Sequence, residues 1–114
     1  MKPLNFTIMT SKVYVFDLDH TLCRTEKIDN KYWDYKNAKP IKERIEKVNM
    51  LYDQGNTIII ESARGFDKEN DFYEISQFQL ENWGLKYHKL RTATKFPADF
   101  YIDDKGINSE DYFG

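Results

Sequence analysis

The sequence predicts one α/β domain with three layers, in which a parallel sheet of about four strands carries helices on both faces. Apolar runs of strand composition alternate along the chain with segments of helical periodicity. Strands that alternate with helices are joined by right-handed crossovers and therefore lie parallel. A length of 114 residues leaves room for one core. No repeat, linker or low-complexity segment divides the chain, so residues 1–114 are expected to form a single domain.

The first half of the chain predicts a strand, a flap and a helix. Residues 1–11 are expected to form an N-terminal extension, and β-branched and aromatic residues predict a buried strand at 13–17. Residues 24–39 are polar and aromatic without a clean period, so we expect them to form a loop, which we call the flap. Pro40 suits the first turn of a helix, and Gly55 suits its end.

The second half predicts three further strands and one helix. "TIII" at 57–60 has the composition of a second buried strand, and 70–83 has the pattern of a helix. "LKYHKL" at 85–90 predicts a third strand, and "DFYI" at 99–102 predicts a fourth. The apolar surface of the predicted helix comprises Phe72, Ile75, Phe78 and Trp83.

Composition argues against several classes of protein. The net charge of −2 comes from 17 basic and 19 acidic residues spread along the chain, which is not the basic stripe of a nucleic-acid-binding protein. The start of the chain has no signal-peptide pattern, and no segment approaches the ~20 apolar residues of a membrane helix. The single cysteine, Cys23, excludes an internal disulfide and suits a small buried position. We therefore expect a cytoplasmic protein without a nucleic-acid or membrane partner. The sequence does not decide between a monomer and a homo-oligomer.

Residues that follow the predicted strands form the candidate site, because ligands of open parallel sheets bind beyond the carboxyl ends of the strands. Asp17 and Asp19 follow the first strand, and side chains two positions apart point to the same side of an extended chain. Two carboxylates that close destabilise each other unless a cation, a shared proton or a dedicated chemistry separates their roles. The full set at this rim is Asp17, Asp19, Ser62, Arg64, Lys95, Asp103 and Asp104.

These residue types suit phosphoryl transfer. Clustered carboxylates are the ligands that Mg²⁺ prefers, and a bound cation suits an anionic substrate such as a phosphate ester. Lys95 offers a positive charge and Ser62 a hydroxyl donor for phosphate oxygens. One carboxylate of the pair would attack phosphorus, and the other would protonate the leaving oxygen and later activate water.

At these residues the sequence resembles the haloacid dehalogenase (HAD) superfamily of phosphohydrolases. "DLDHT" fits the first motif of that family, Asp-x-Asp-x-Thr, and the resemblance implies Asp17 as nucleophile and Asp19 as acid and base. "IIIESARG" resembles the second motif, which ends in Ser or Thr and is represented here by Ser62. "KFPADFYIDD" resembles the third and fourth motifs, and all four occur in family order.

The resemblance implies a three-layer Rossmann-like fold, a Mg²⁺ cofactor and a phosphate cradle formed by Ser62 and Lys95. Two departures from the family pattern stand out. Phe96 separates Lys95 from Pro97, where the family has Lys directly before Pro. The second is that His20 stands where Gly is common and Ser62 where Thr is commoner. The metal ligands that the resemblance implies are Asp17, Asp19, Asp103 and Asp104.

A wider similarity runs from about Val13 to Phe113 and includes "QLENWGLKYHKL" and "YIDDKGI". It resembles small bacterial phosphatases that are associated with capsule or surface-polysaccharide biosynthesis. The implied substrate is a small phosphorylated metabolite, such as a sugar or polyol phosphate. Neither the stretch between Asp19 and the first helix nor that between Ser62 and Lys95 is long enough for a cap domain, so we expect a capless form.

Several residues have weaker claims to a role. Arg64 either binds substrate or braces its loop, and Arg91 and His20 are further candidates for substrate contacts. His88 lies within a strand pattern and suits a structural role. The flap aromatics, which could form part of a lid, are Tyr32, Trp33 and Tyr35.

Two other functions share these ingredients. A response-regulator receiver also combines an acid pair, an acceptor Asp, Ser/Thr and Lys, but its acid pair follows the first strand and its Lys follows the last. Here Lys95 precedes the pair Asp103 and Asp104, which come late in the chain. A non-catalytic binding subunit is the third possibility, although every chemical position is filled.

Overall fold

The computed structural model describes residues 11–66 and 72–114. It shows a small α/β fold built on a three-stranded parallel sheet. The strands in chain order are β1 (Val13–Phe16), β2 (Cys23–Arg24), β3 (Lys27–Ile28), β4 (Tyr32–Trp33), β5 (Lys39–Pro40), β6 (Thr57–Glu61) and β7 (Lys89–Arg91). The helices are α1 (Lys42–Asp53), α2 (Tyr73–Asn82) and α3 (Ser109–Phe113), and a 3-10 turn covers Tyr35–Asn37.

The parallel sheet has the strand order β1-β6-β7. Val13 of β1 lies opposite Thr57, and Ile60 of β6 lies opposite Leu90 of β7. Because the strands are parallel, their carboxyl ends meet at one edge of the sheet. The predicted α/β class with a parallel sheet is therefore confirmed, and β1 and β6 each lie within one residue of their predicted bounds.

The core lies between the sheet and its helices, with α1 packed against β6 and α2 against β7. Ile45 and Val48 share one face of α1 because they are three residues apart, and both are buried. Gly55 follows the helix with a φ of +98°, a left-handed conformation that glycine adopts without strain. The buried apolar cluster comprises Phe16, Leu18, Leu22, Cys23, Ile45, Val48, Ile58, Ile60, Leu80, Leu85 and Leu90.

The flap is more regular than its sequence predicts. β3 and β4 form an antiparallel hairpin, and β2 pairs with β5 at the base of the flap. This pairing places Pro40 opposite Cys23, and the Ile41 N–H donates to the Leu22 carbonyl at 2.9 Å. Helix α1 therefore begins at Lys42, two residues beyond the position predicted from Pro40.

Helix α2 covers Tyr73–Asn82, and residues 70–71 of the predicted helix lie outside the described part of the chain. Its predicted apolar surface is wrong at Phe78, which is 66 % exposed. The buried positions are instead Ser76, Gln79 and Leu80. Two polar side chains thus occupy the inward face, and their partners belong to the site described below.

Strand β1 lies at an edge of the sheet, since β6 is its one strand neighbour among the described residues. Val13 and Val15 are 65 % and 58 % exposed, although a buried strand was expected. Residues 99–102 lie outside the sheet, and Phe100 and Ile102 are 83 % and 96 % exposed. The described sheet therefore has three strands where the sequence predicts about four.

The sequence did not predict α3, which packs aromatic side chains against the sheet. The Tyr112 and Phe113 rings each lie 6.0 Å from the Phe16 ring. Between β1 and α1 the described chain holds only the flap, and no inserted domain resembling a cap is present there. Within the described ranges no helix combines the length and the apolar character needed to cross a bilayer.

Candidate functional site at the carboxyl edge of the sheet

Asp17 lies directly after β1, at the edge where the parallel strands end. Its Oδ1 atom accepts a hydrogen bond of 2.8 Å from the Leu18 N–H. The Lys95 ammonium lies 3.5 Å from Oδ2 of the same carboxylate. The structure therefore brings together two residues that the sequence places 78 positions apart, the difference between 95 and 17.

Asp19 has a different set of partners. Arg64 donates to both carboxylate oxygens, from Nε to Oδ2 and from Nη2 to Oδ1, each at 2.8 Å. Thr25 donates to Oδ1 at 2.5 Å, and the Cys23 Sγ atom lies 3.4 Å from the same oxygen. Both oxygens of Asp19 are thus held by protein donors, and the bidentate contact fixes the plane of the carboxylate.

Arg64 is completely buried, with a side-chain exposure of 0 %. Its Nη1 atom donates to the Ser76 hydroxyl at 2.9 Å and to Oε1 of Gln79 at 2.7 Å. The guanidinium also lies over the Tyr35 ring, 4.7 Å from its centroid. Because each of its nitrogens contacts a protein group, the geometry supports the bracing role and leaves no donor facing a substrate.

Ser62 follows β6 and is buried, with 1 % of its surface exposed. Its backbone N–H donates to the Arg91 carbonyl at 2.9 Å, and its Oγ accepts from the Arg64 N–H at 3.0 Å. A hydroxyl that accepts one hydrogen bond still has its own hydrogen to donate. This arrangement suits a contact with a phosphate oxygen at the same edge as Asp17.

The environments of the two aspartates shift their pKa values in opposite directions. Burial raises the pKa of Asp17 above its usual value, although the nearby Lys95 charge opposes the rise. Burial would also raise the pKa of Asp19, but the hydrogen bonds and positive charge of Arg64 outweigh it and hold that pKa below the usual value. Burial, with the adjacent Asp19 charge, raises the pKa of the Cys23 thiol to about 12, so the thiol stays protonated.

Asp103 and Asp104 lie in an exposed segment. Oδ1 of Asp103 accepts from the backbone N–H groups of Lys105 and Gly106 at 2.9 Å and 2.5 Å, and these bonds lower the pKa of that carboxyl. Asp104 pairs with the Lys105 ammonium at 3.3 Å and is 82 % exposed. Within residues 11–66 and 72–114, no three acidic, His or Cys side chains are grouped closely enough to hold a metal. Asp103 and Asp104 are therefore not part of a metal-sized cluster in the described part of the chain.

The contacts of Asp17 and Asp19 determine whether their carboxylate oxygens are available to Mg²⁺, which prefers six oxygen ligands in near-octahedral geometry. Oδ2 of Asp17 faces Lys95, whereas both oxygens of Asp19 are engaged by Arg64. With the other two acids elsewhere, the described residues as arranged do not fit a magnesium ion. The Mg²⁺ requirement thus stays a prediction.

The weaker candidates lie around this edge. The exposed His20 has a φ of +66°, and its ring lies 4.9 Å from the Trp33 ring of the flap hairpin. Arg91 is 48 % exposed at the end of β7 and lies 3.9 Å from Glu61, so it remains accessible. His88 supports the fold, since its Nδ1 atom accepts from a backbone N–H of β6 at 3.0 Å.

Sequence reasoning missed the polar partners of Arg64. Ser76 and Gln79 are three residues apart and so share one face of α2, a polar pair that could have marked a buried hydrogen-bonding surface. Thr92 was also missed: it follows β7, is 6 % exposed, and has the one buried side-chain polar atom without a hydrogen-bond partner in the described chain. No sequence signal distinguishes Thr92 from an ordinary loop threonine.

Comparison with solved structures shows the fold. The chain is similar to a structural-genomics target from Vibrio cholerae, with a TM-score of 0.72 and 23 % identity over 90 % of this chain and 87 % of that one. It is also similar to a chain of a Pnkp1/Rnl/Hen1 complex, with a TM-score of 0.54 and 21 % identity over 77 % of this chain and 30 % of that one. No protein-family model matches the sequence, and no curated protein does. At these identities the likeness establishes the fold and no more.

Proposed function

We propose that the protein is a capless phosphohydrolase of the HAD superfamily, which hydrolyses a small phosphorylated metabolite through a phosphorylated Asp17. The observation that carries the proposal is the contact of 3.5 Å between the Lys95 ammonium and Oδ2 of Asp17 at the carboxyl edge of the sheet. A carboxylate oxygen beside a positive charge is placed to meet a phosphoryl group, whose oxygens spread negative charge during transfer. The buried Ser62 hydroxyl at the same edge supports this assignment.

In the proposed reaction Oδ2 of Asp17 attacks phosphorus, and an O–P bond forms while the bond to the alcohol oxygen breaks. The departing oxygen takes a proton from the protonated form of Asp19, which must form against the charge of Arg64 before this step. The ionised Asp19 that remains takes a proton from the attacking water, the bond between Asp17 and phosphorus breaks, and phosphate and Asp17 are released. Arg64 favours the ionised form of Asp19, which is the form that activates water. Lys95 and Ser62 hold the phosphoryl oxygens throughout.

We also propose that residues 99–102 add as a fourth strand to the edge of β1 that no described strand pairs with. Support comes from the two apolar surfaces that the described structure leaves uncovered: Val13 and Val15 on β1, and Phe100 and Ile102 on the segment. An exposed edge strand has unpaired backbone groups that readily accept another strand.

A parallel fourth strand beside β1 would end at the same edge as Asp17 and would carry Asp103 and Asp104 to it. Asp17, Asp103 and Asp104 would then present carboxylate oxygens of the kind that bind Mg²⁺, whereas Asp19 would join them only after releasing an oxygen from Arg64. Mg²⁺ is accordingly the proposed cofactor, and it would supply positive charge that lowers the repulsion between the acids. The proposed substrate class is a sugar or polyol phosphate in the cytoplasm, because the sequence resembles phosphatases associated with surface-polysaccharide biosynthesis.

The test is release of phosphate from p-nitrophenyl phosphate by purified protein with Mg²⁺. Asp17→Asn is expected to abolish it, whereas Asp53→Asn, at a 58 % exposed carboxylate paired with Lys86, is expected to leave it unchanged. A phosphorylated wild-type protein trapped by acid quenching would locate the intermediate. Phosphate release that persists in Asp17→Asn would refute the assignment of the nucleophile.

One observation favours a second candidate, a non-catalytic binding subunit. Asp103 and Asp104 lie in an exposed segment, so the described arrangement lacks the acid pair of a complete metal site. Titration calorimetry separates the two candidates, because a phosphatase of this kind must bind Mg²⁺ and a degenerate subunit need not.

A further inference from the structure

One buried side chain, Gln79 of α2, joins the flap backbone at Tyr35 to Arg64 at the rim that carries the aspartates. Its Oε1 atom accepts from Nη1 of Arg64 at 2.7 Å, and its Nε2 atom donates to the backbone carbonyl of Tyr35 at 2.6 Å. Gln79 is 7 % exposed, so water competes little for either hydrogen bond. One amide therefore joins two parts of the chain that are distant in sequence.

Arg64 extends this connection to Asp19 at the carboxyl edge of the sheet. The same guanidinium that donates to Gln79 holds both oxygens of Asp19 and lies over the Tyr35 ring. Hydrogen bonds from a charged donor are shorter and stronger than those between neutral groups. The end of β1, helix α2 and the flap thus meet at one guanidinium, and Gln79 is the residue that touches both the guanidinium and the flap backbone.

The chemistry of the amide explains why glutamine suits this position. Its oxygen can accept from a guanidinium while its nitrogen donates to a carbonyl. A glutamate could accept from Arg64 but has no donor for the Tyr35 carbonyl, and a methionine of similar size can form neither hydrogen bond. The two substitutions therefore separate the two halves of the connection.

We propose that Gln79 is a positioning residue that fastens the flap to the site and, through Arg64, holds the Asp19 carboxylate in its observed orientation. The two ends of one amide make these two contacts, so a substitution can remove the contact with the flap alone or both contacts together. The role of Asp19 in this statement rests on the proposed function, whereas the fastening of the flap does not.

Hydrogen–deuterium exchange of the flap tests the fastening without reference to activity. Gln79→Met and Gln79→Glu are each expected to raise exchange of flap amides about tenfold or more, while the amides of β6 stay protected. Gln77→Met is the matched control, because it makes the same change at a partly exposed position of the same helix. Unchanged flap exchange in both Gln79 variants would overturn the proposal.

Steady-state kinetics with p-nitrophenyl phosphate test the coupling to Asp19. Gln79→Met is expected to lower kcat about tenfold to a hundredfold, because a small misplacement of a reacting group costs that much. Gln79→Glu, which keeps the contact with Arg64, is expected to retain more of kcat than Gln79→Met although its flap is equally loose. Equal kcat values in wild type and Gln79→Met would overturn the coupling.

The two measurements distinguish failure of this inference from failure of the proposed function. A wild-type protein without phosphatase activity, together with a flap loosened by both Gln79 variants, would refute the phosphatase and support the fastening. An active wild type whose flap exchanges at the same rate in every variant would support the phosphatase and refute the fastening.

Discussion

Asp17 and Asp19 stand two positions apart in the chain, yet the fold treats them differently. Among the described residues Asp17 has one cationic contact, Lys95, whereas Asp19 accepts hydrogen bonds from the buried Arg64. Like charges in close proximity are tolerated when their environments differ, and here Arg64 supplies the difference. The sequence predicts that the pair divides its tasks, but only the structure shows which carboxylate is paired with the buried Arg64.

The first prediction compares the stabilities of two neutral variants. Asp19→Asn is expected to lower the free energy of unfolding by about 3 kcal/mol, because it leaves the Arg64 charge buried without its partner. Asp17→Asn is expected to raise the free energy of unfolding, since a pKa raised in the fold means that ionisation of Asp17 opposes folding. Urea unfolding at pH 7 measures the free energy of unfolding of both variants. Equal effects of the two substitutions would contradict the claim that the two aspartates lie in different environments.

The same pair predicts a pH dependence. The pKa of Asp19 is lower in the folded protein than its usual value of 3.8, so its stabilising contribution is fully present above that value. The contribution is lost as the pH falls below 3.8 toward the folded pKa. The stability difference between wild type and Asp19→Asn should therefore be constant near neutral pH and shrink in acid. If the stability difference grew on acidification, the direction assigned to the pKa shift of Asp19 would be wrong.

Thr92 gives a third prediction at the scale of one atom. Its buried hydroxyl has no hydrogen-bond partner among the described residues, and such a group costs about 1–3 kcal/mol. Thr92→Val keeps the shape and removes the hydroxyl, so the free energy of unfolding should rise by about 1 kcal/mol. Thr94→Val, at an exposed position two residues on, is the control. A loss of stability in Thr92→Val would show that the hydroxyl is bonded.

At the scale of elements, the short helix α3 depends on one buried arginine of α1. Arg44 donates to Glu110 at 2.7 Å and to the Thr21 carbonyl at 3.0 Å, and its guanidinium lies 4.8 Å from the Phe113 ring centroid. Because Arg44 is 8 % exposed, its contacts form in a largely dry environment. This one side chain ties α1, α3 and the turn after β1 together.

Arg44→Met is therefore expected to lower the free energy of unfolding by about 2 kcal/mol and to increase hydrogen exchange in α3, since the partly buried Thr21 carbonyl loses a charged donor. Glu110→Gln should have a smaller effect, because that carboxylate is 70 % exposed and its ion pair is screened by water. Lys42→Met, on the exposed face of α1, is the control. Equal stability of Arg44→Met and Lys42→Met would refute the role of Arg44.

The elements that the sequence predicted well are those whose residues face a continuous core. β6 was predicted at 57–60 and observed at Thr57–Glu61, because its apolar run matches its burial. Elsewhere tertiary contacts overrode local preference. Pro40 pairs with Cys23 in a strand, so α1 begins after it. Polar residues of α2 face the core because they accept hydrogen bonds from the buried Arg64. α3 has five residues, too few for a periodic signal.

The candidate site shows the same division. The positions of Asp17 and Lys95 relative to the predicted strands placed both residues at one rim, and in the structure the Lys95 ammonium lies 3.5 Å from Oδ2 of Asp17. The sequence could not predict that Arg64 donates to Gln79, because the partner of a buried charge depends on which face of the helix turns toward the core. Side chains that recognise a ligand leave traces in sequence motifs, whereas those that brace them often do not.

At the scale of the whole molecule, the described sheet is unfinished on one side. β1 has one strand neighbour among the described residues, and an apolar segment at 99–102 stays outside the sheet. That segment already passes close to the site, because the Tyr101 ring lies 4.8 Å from the Lys95 ammonium. Joining the segment to β1 would bury apolar surface and deliver two acids to the edge that holds Asp17.

The proposed fourth strand would couple metal binding to completion of the sheet, and this gives the last prediction. Mg²⁺ that binds only the completed form must raise the Tm, with a stabilisation of about 2.7 kcal/mol at a concentration 100 times the Kd. Amide exchange in β1 and at 99–104 should slow together when Mg²⁺ is added with phosphate, while exchange in the flap changes less. The expected effect disappears in an Asp103→Asn, Asp104→Asn double variant. It persists in Asp111→Asn, which neutralises an acid on the neighbouring α3. If Mg²⁺ raised the Tm of the double variant as much as that of the wild type, the two acids would take no part in binding. The proposed fourth strand would then have no role in metal binding.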